Sequence, residues 1–94
     1  MSGYLFEWDA AKADANRRKH GVTFDEATTT FADPLAMLMP DPDHSAGEKR
    51  YLVLGLSNQR RLLVVAFAER PPRTRLISAR RVTRKERRSY EEKG

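Results

Sequence analysis

The chain has 94 residues, no cysteine and a net charge of +5. That length gives one domain, spanning residues 1–94, with a modest core. The lack of cysteine excludes disulfides, thiolate nucleophiles and thiolate metal sites, and fits a reducing compartment. No apolar run approaches the roughly 20 residues of a membrane helix. The opening Met-Ser-Gly-Tyr-Leu-Phe lacks the basic region and apolar run of a signal peptide, so a cytoplasmic location is expected. Charge is unevenly placed. Residues 1–47 hold 4 Lys/Arg against 8 Asp/Glu, and residues 48–94 hold 14 against 5, leaving −4 and +9. A strongly basic half on a small domain points to a polyanion partner, most often nucleic acid.

In chain order, Tyr4 to Trp8 alternates bulky residues and reads as a first strand. Asp9 is a good helix N-cap, and Ala10 to His20 reads as a helix closed by Gly21. Lys12, Asn16, Lys19 and His20 share one side of it by their spacing. Lys19 and His20 also sit at the negative end of the helix dipole, where cations are favoured whether or not they serve a site.

Thr23-Phe24-Asp25-Glu26 reads as a capping box that opens a second helix. Phe24, Ala27, Thr28 and Phe31 form its inward stripe, and Ala32-Asp33-Pro34 ends it. Leu35 to Met39 reads as a strand, with Met37 and Met39 as core filler. Pro40 to Gly47 is rich in turn residues. Asp41, Asp43 and His44 there lack a recognised ligand spacing, so no metal site is expected.

Tyr51 to Ser57 and Leu62 to Ala68 read as strands joined by a turn at Ser57–Arg60. Leu62 to Ala68 is apolar on both alternating faces and is expected in mid-sheet, covered on both sides. Pro71-Pro72 turns the chain into a return strand that ends at Arg80-Arg81. Thr83-Arg84-Lys85-Glu86 is a second capping box for a last helix, and Glu91 to Gly94 reads as a frayed tail. Tyr90 is expected to pack that helix or to stack on a base.

Several of these segments resemble the BrnT family of toxins, in the order seen there. They are Phe6-Glu7-Trp8-Asp9, Asn16 to Phe24, Asp41 to Ser45, Ile77-Ser78-Ala79-Arg80-Arg81, and Arg84 to Arg88. The resemblance implies an α+β, RelE-like fold of order β-α-α-β-β-β-β-α, with two N-terminal helices, an antiparallel sheet and a C-terminal helix. It implies a ribonuclease toxin that stops growth by cutting RNA. It also implies neutralisation by a BrnA-type antitoxin with a ribbon-helix-helix domain, through which alone operator DNA is bound. Val82 departs from relatives that carry a small residue or Pro there.

A ribonuclease of this kind needs no cofactor and no metal. A base takes the ribose 2′-OH proton, cations stabilise the charge gathering on the phosphate, and an acid protonates the leaving oxygen. Arg80, which matches the family's strand exit, is the leading cation. Arg81 should point to the opposite face, so one of the two reaches substrate while the other pairs with an acid. Glu69 is the only acid between Arg50 and Thr83 and is the candidate base; its alternative is an ion pair with Arg70, Arg73 or Arg75. Lys19 and His20 are further acid–base candidates. Arg70, Arg81, Arg50 and Arg84 are candidate RNA-phosphate contacts. The rival reading is a non-catalytic basic module that holds RNA or an antitoxin.

Overall fold

The computed structural model describes residues 4–41 and 49–93. Asp43 and His44, and nearly all of the expected loop at 40–47, lie outside them. The element order is β1 (Phe6–Glu7), α1 (Ala10–His20), α2 (Phe24–Thr28), a 3₁₀ segment (Thr29–Ala32), β2 (Met37–Pro40), β3 (Arg50–Leu56), β4 (Leu62–Arg70), β5 (Arg73–Arg81) and α3 (Arg84–Lys93). The expected α+β composition is present, with corrected boundaries. The first strand is two residues long. The second helix tightens to 3₁₀ geometry after Thr28, so Phe31 projects from that turn. The last helix continues to Lys93 where a frayed tail was expected.

The five strands form one sheet in the order β1-β5-β4-β3-β2. Neighbouring pairs are antiparallel except β1, which runs parallel to β5. The expectation of an antiparallel sheet fails at that edge because β1 comes from the far end of the chain and no hairpin dictates its direction. β4 is the central strand, and Leu62 to Ala68 are all buried.

Register separates two layers. On one face Val53, Leu63, Val65, Phe67, Leu76 and Ala79 pack with Val22, Phe24 and Ala27 from the α1–α2 region. On the other, Leu54, Leu62 and Val64 meet Met37, Met39, Leu52, Val82 and Tyr90. A β-bulge lies between the pairs Ala66–Ser78 and Phe67–Leu76, so Ile77 is an extra residue on β5. It lets both Leu76 and Ala79 face the helical layer, although three residues separate them.

Local capping explains the helix starts. Asp9 Oδ2 accepts from the Lys12 amide at 3.0 Å, and Gly21 closes α1 at φ 70, in the left-handed region that favours glycine. Thr23 Oγ1 accepts from the Glu26 amide at 3.0 Å. Glu26 does not return the bond as a capping box would. Its buried carboxylate accepts from Arg61 through Nε at 2.9 Å and through Nη2, and from Ser57 Oγ at 2.7 Å. Arg61 also donates to the Gly21 carbonyl at 3.2 Å. The turn between β3 and β4 is thus bolted to α2. The Arg61 hydrogen bonds hold Glu26 below the usual carboxylate range against the opposing effect of burial.

One polar side chain joins α1 to the sheet. β1 covers β5 only at Thr74 and Arg75. Beyond it, Asn16 donates to the Ala79 carbonyl at 2.8 Å and accepts from the Ala79 amide at 3.0 Å. Its amide also donates to the Val22 carbonyl at 3.0 Å. Asn16 is buried, and it serves the β5 edge as a short piece of strand would.

Asn16→Ala leaves buried backbone groups without partners, each costing about 1–3 kcal/mol. We expect a loss of about 3 kcal/mol in urea unfolding. A loss under about 0.5 kcal/mol, typical of a surface change, would show that the amide does not anchor α1.

Candidate active site

The register of β3, β4 and β5 assembles a basic face. Arg50 pairs with Ala68, and Ala68 pairs with Arg75, so two arginines flank a small residue across the sheet, with roughly 10 Å between their Cα atoms. One step along, Leu52, Ala66 and Ser78 form the next row, and then Leu54, Val64 and Arg80. Arg70 pairs with Arg73 at the hairpin end. These positions alternate onto the face that carries α3. Its floor away from α3 is Ala66, Ala68 and Ser78, and its rim is arginine. Ala68 is fully buried, as expected where long arginine stems lie over a small residue.

Glu7 and Glu86 place carboxylates on this face. Glu7 on β1 pairs in register with Arg75, with Oε2 3.4 Å from Arg75 Nη1 and Oε1 3.8 Å from Arg73 Nε. Glu86 grips Arg80 in a fork, Nη1 to Oε1 at 2.9 Å and Nη2 to Oε2 at 3.0 Å. The same Oε1 accepts from the Thr83 amide at 2.8 Å, while Thr83 Oγ1 accepts from the Glu86 amide at 3.2 Å. The second capping box is therefore complete, and its glutamate also orients an arginine. The Arg80 hydrogen bonds hold Glu86 down at about 2, well below its ordinary 4.5, and Glu86 in turn raises Arg80. Arg80 retains 39% of its side-chain exposure, so the guanidinium is fixed yet reachable.

Tyr90 sets the position of α3. Its hydroxyl donates to Asp33 Oδ2 at 2.6 Å, and the same carboxylate accepts from the Leu56 and Leu35 amides at 2.8 and 2.9 Å. Burial, aided by the Asp33 carboxylate, pushes the Tyr90 phenol up to about 12. Asp33 stays below its usual range, since its three donors outweigh burial. Tyr90 is committed to packing and is not available as a base-stacking platform.

The other expected site residues are distributed as follows. Arg80 is the member of the Arg80–Arg81 pair that meets an acid, and Arg81 is exposed on the opposite face, toward Glu26. Arg50 Nε lies 3.9 Å from Asp41 Oδ2. Arg84 is exposed at the first turn of α3. Lys19 and His20 sit in the last turn of α1, one turn beyond the Asn16 anchor on β5.

Glu69 pairs with Thr74 and projects to the face opposite Arg80; along β4 it is five residues from Val64, the partner of Arg80. That separation is roughly 17 Å, so the two cannot act on one phosphate. Nor is Glu69 in an ion pair with Arg70, Arg73 or Arg75 among the described residues. Strand alternation, not charge attraction, decides its side. Glu7 went unread as a site residue because its place beside Arg75 depends on the parallel β1–β5 pairing.

A model of the family described as the ribonuclease toxin, BrnT, of type II toxin–antitoxin systems matches residues 8–86. The 1.1 Å crystal structure of the Brucella abortus ribonuclease toxin BrnT is similar, with a TM-score of 0.67 and 23% identity. The match covers 86% of this chain and 99% of that one. No curated protein matches the sequence. The fold and the matched span define a ribonuclease toxin of a type II toxin–antitoxin system, a class that implies an antitoxin partner. Within that class, the chain belongs to the BrnT family.

The Glu86–Arg80 fork makes stability depend on pH. Because the folded Glu86 value is depressed, its contribution is complete above about 4.5 and is lost as pH falls toward about 2. Urea midpoints measured across that window should fall less steeply for Glu86→Gln than for the parent. Parallel curves would mean that the pair adds no pH-dependent stability.

Proposed function

We propose that the protein is a RelE-like endoribonuclease toxin acting in the cytoplasm without a metal or cofactor. In this reading the arginine-rimmed face of the sheet binds single-stranded RNA through its phosphates. The observation that carries it is Arg80, held bidentately by Glu86 yet 39% exposed on a face shared with Arg50, Arg70, Arg73 and Arg75.

A positioned guanidinium meets the demand of the reaction. When the 2′-oxygen attacks the adjacent phosphorus, negative charge gathers on the non-bridging oxygens, and a donor fork already fixed in place stabilises it with little reorganisation. The new bond joins the 2′-oxygen to phosphorus and the bond to the 5′-oxygen breaks, leaving a 2′,3′-cyclic phosphate. Lys19 and His20, at the end of α1 beside the β5 edge, remain candidates for the proton transfers. Glu7 also stands on the arginine face, but register places it about 14 Å along the sheet from Arg80, and its part is to orient Arg73 and Arg75. Arg50, Arg70 and Arg84 contribute phosphate contacts, and Arg81 contributes from the other side of β5. A BrnA-type antitoxin with a ribbon-helix-helix domain would silence the toxin by covering this cationic face, and would carry the complex to operator DNA.

The test is cleavage of labelled RNA in excess EDTA with RNA affinity measured in parallel. The parent should give 2′,3′-cyclic ends. Arg80→Ala should lower the single-turnover rate by about 10²–10³-fold, the cost of losing one preorganised charge stabiliser. Its RNA affinity should change by less than about 3-fold, one phosphate contact among several. A folded parent that binds RNA and leaves it intact would make this a binding module.

A further inference from the structure

The opposite face of the sheet carries a second feature near the end of the β4–β5 hairpin, where α1 and α2 do not cover it. A cavity of about 270 Å³ opens there, with Tyr4, Phe31, Leu38, Phe67, Glu69 and Thr74 in its lining. Its aromatic side is ordered. Phe31 meets the Tyr4 and Phe67 rings edge-on, each at 5.0 Å between centroids. Tyr4 is 49% exposed and Leu38 66% exposed, so apolar surface continues out of the cavity. Asp33 also lines it, but its carboxylate already accepts three hydrogen bonds. Glu69 is the exposed carboxylate at the cavity, and it forms no ion pair among the described residues.

We propose that this cavity receives one nucleobase of the RNA, and that Glu69 makes it selective for guanine. The proposal rests on the ribonuclease reading and adds a base-reading site to it. Size favours a base over a protein segment, since the volume lies just below the ~300–1,000 Å³ of ordinary small-ligand pockets and suits one planar ring system. Aromatic walls are the usual support for an unstacked base in single-stranded RNA.

The carboxylate sets the choice. Guanine presents adjacent N1–H and N2–H donors, which match the two oxygens of Glu69. Adenine and cytosine each set one amine beside a ring acceptor, and uracil flanks its single N–H with two carbonyls, so each of them turns an acceptor toward the carboxylate. The neighbourhood supplies the backbone contacts. Arg70 and Arg73 pair one step beyond Glu69 and Thr74 and alternate to the other face. An RNA strand tracking the arginines can therefore turn one base over the hairpin end into the cavity.

The experiment follows the aromatic NMR resonances of Tyr4, Phe31 and Phe67 in the intact protein during titration with GMP, AMP, CMP and UMP. Parent and Glu69→Gln are compared, with thermal unfolding as a control on folding. GMP should shift these signals at the lowest concentration, and Glu69→Gln should weaken GMP by at least ~10-fold, as expected for loss of a bidentate base contact. Cleavage-site mapping should show a guanine preference at one position in the parent and not in Glu69→Gln. The nucleotide titration involves no cleavage, so a failure of the nuclease reading leaves the cavity test intact. Equal shifts with all four nucleotides would overturn the guanine assignment, and no shift with any of them would overturn the site.

Discussion

The side-chain amide of Asn16 is the contact on which the arrangement of layers depends. Strand β5 has a bare edge beyond its two-residue pairing with β1, and buried peptide groups there need partners. Asn16 satisfies the Ala79 amide and carbonyl together and holds the Val22 carbonyl as well. One residue thereby fixes where α1 lies against the sheet and where the chain re-enters the core after Gly21. Val22, Phe24 and Ala27 then fall onto the sheet face that β3, β4 and β5 leave apolar. A hydrophobic contact at the same place would hold α1 less specifically, since packing tolerates sliding and paired hydrogen bonds do not.

With one face committed to α1 and α2, the other face is left for chemistry. It is only partly covered by α3, which reaches the sheet layer through Tyr90, with Val82 packing from the connection that precedes the helix. Away from that contact, β4 contributes the small side chains of Ala66 and Ala68 and ends in Arg70, and the neighbouring strands contribute further arginines. Glu86 links the two regions. It caps α3 through Thr83 and aligns Arg80, so the geometry of the cation is inherited from the helix start.

Much of this was legible in the chain, for identifiable reasons. Asp9, Gly21 and Thr83 announced helix ends because capping is local chemistry. The doubly apolar run of β4 announced a central strand because burial on both faces removes the polar alternation. What escaped was long-range. The Thr23–Glu26 pattern looked like the box at Thr83–Glu86, yet Arg61, 35 residues away from Glu26, takes its carboxylate. Glu69 read as the candidate base because it is the only acid between Arg50 and Thr83, and strand alternation sends it to the side opposite Arg80. Asn16 was visible as one of a row of polar residues on α1. Only its neighbours in space distinguish it from exposed Lys12.

The extra residue at Ile77 has a consequence for how this sequence tolerates change. Side chains on a strand alternate strictly, so everything after the bulge depends on that one insertion for its side. Were the bulge ironed out with Ile77 kept and Leu76 still in the helical layer, Ala79 and Arg81 would turn to the α3 face, and Arg80 would turn toward α1 and α2, away from Glu86. Deleting Ile77 instead leaves Leu76, Ser78, Ala79 and Arg80 in plain alternation, each on its present side. At this point in the fold, loss of the extra residue preserves both faces and its absorption into a regular strand exchanges them, whereas a substitution of either arginine edits one face alone.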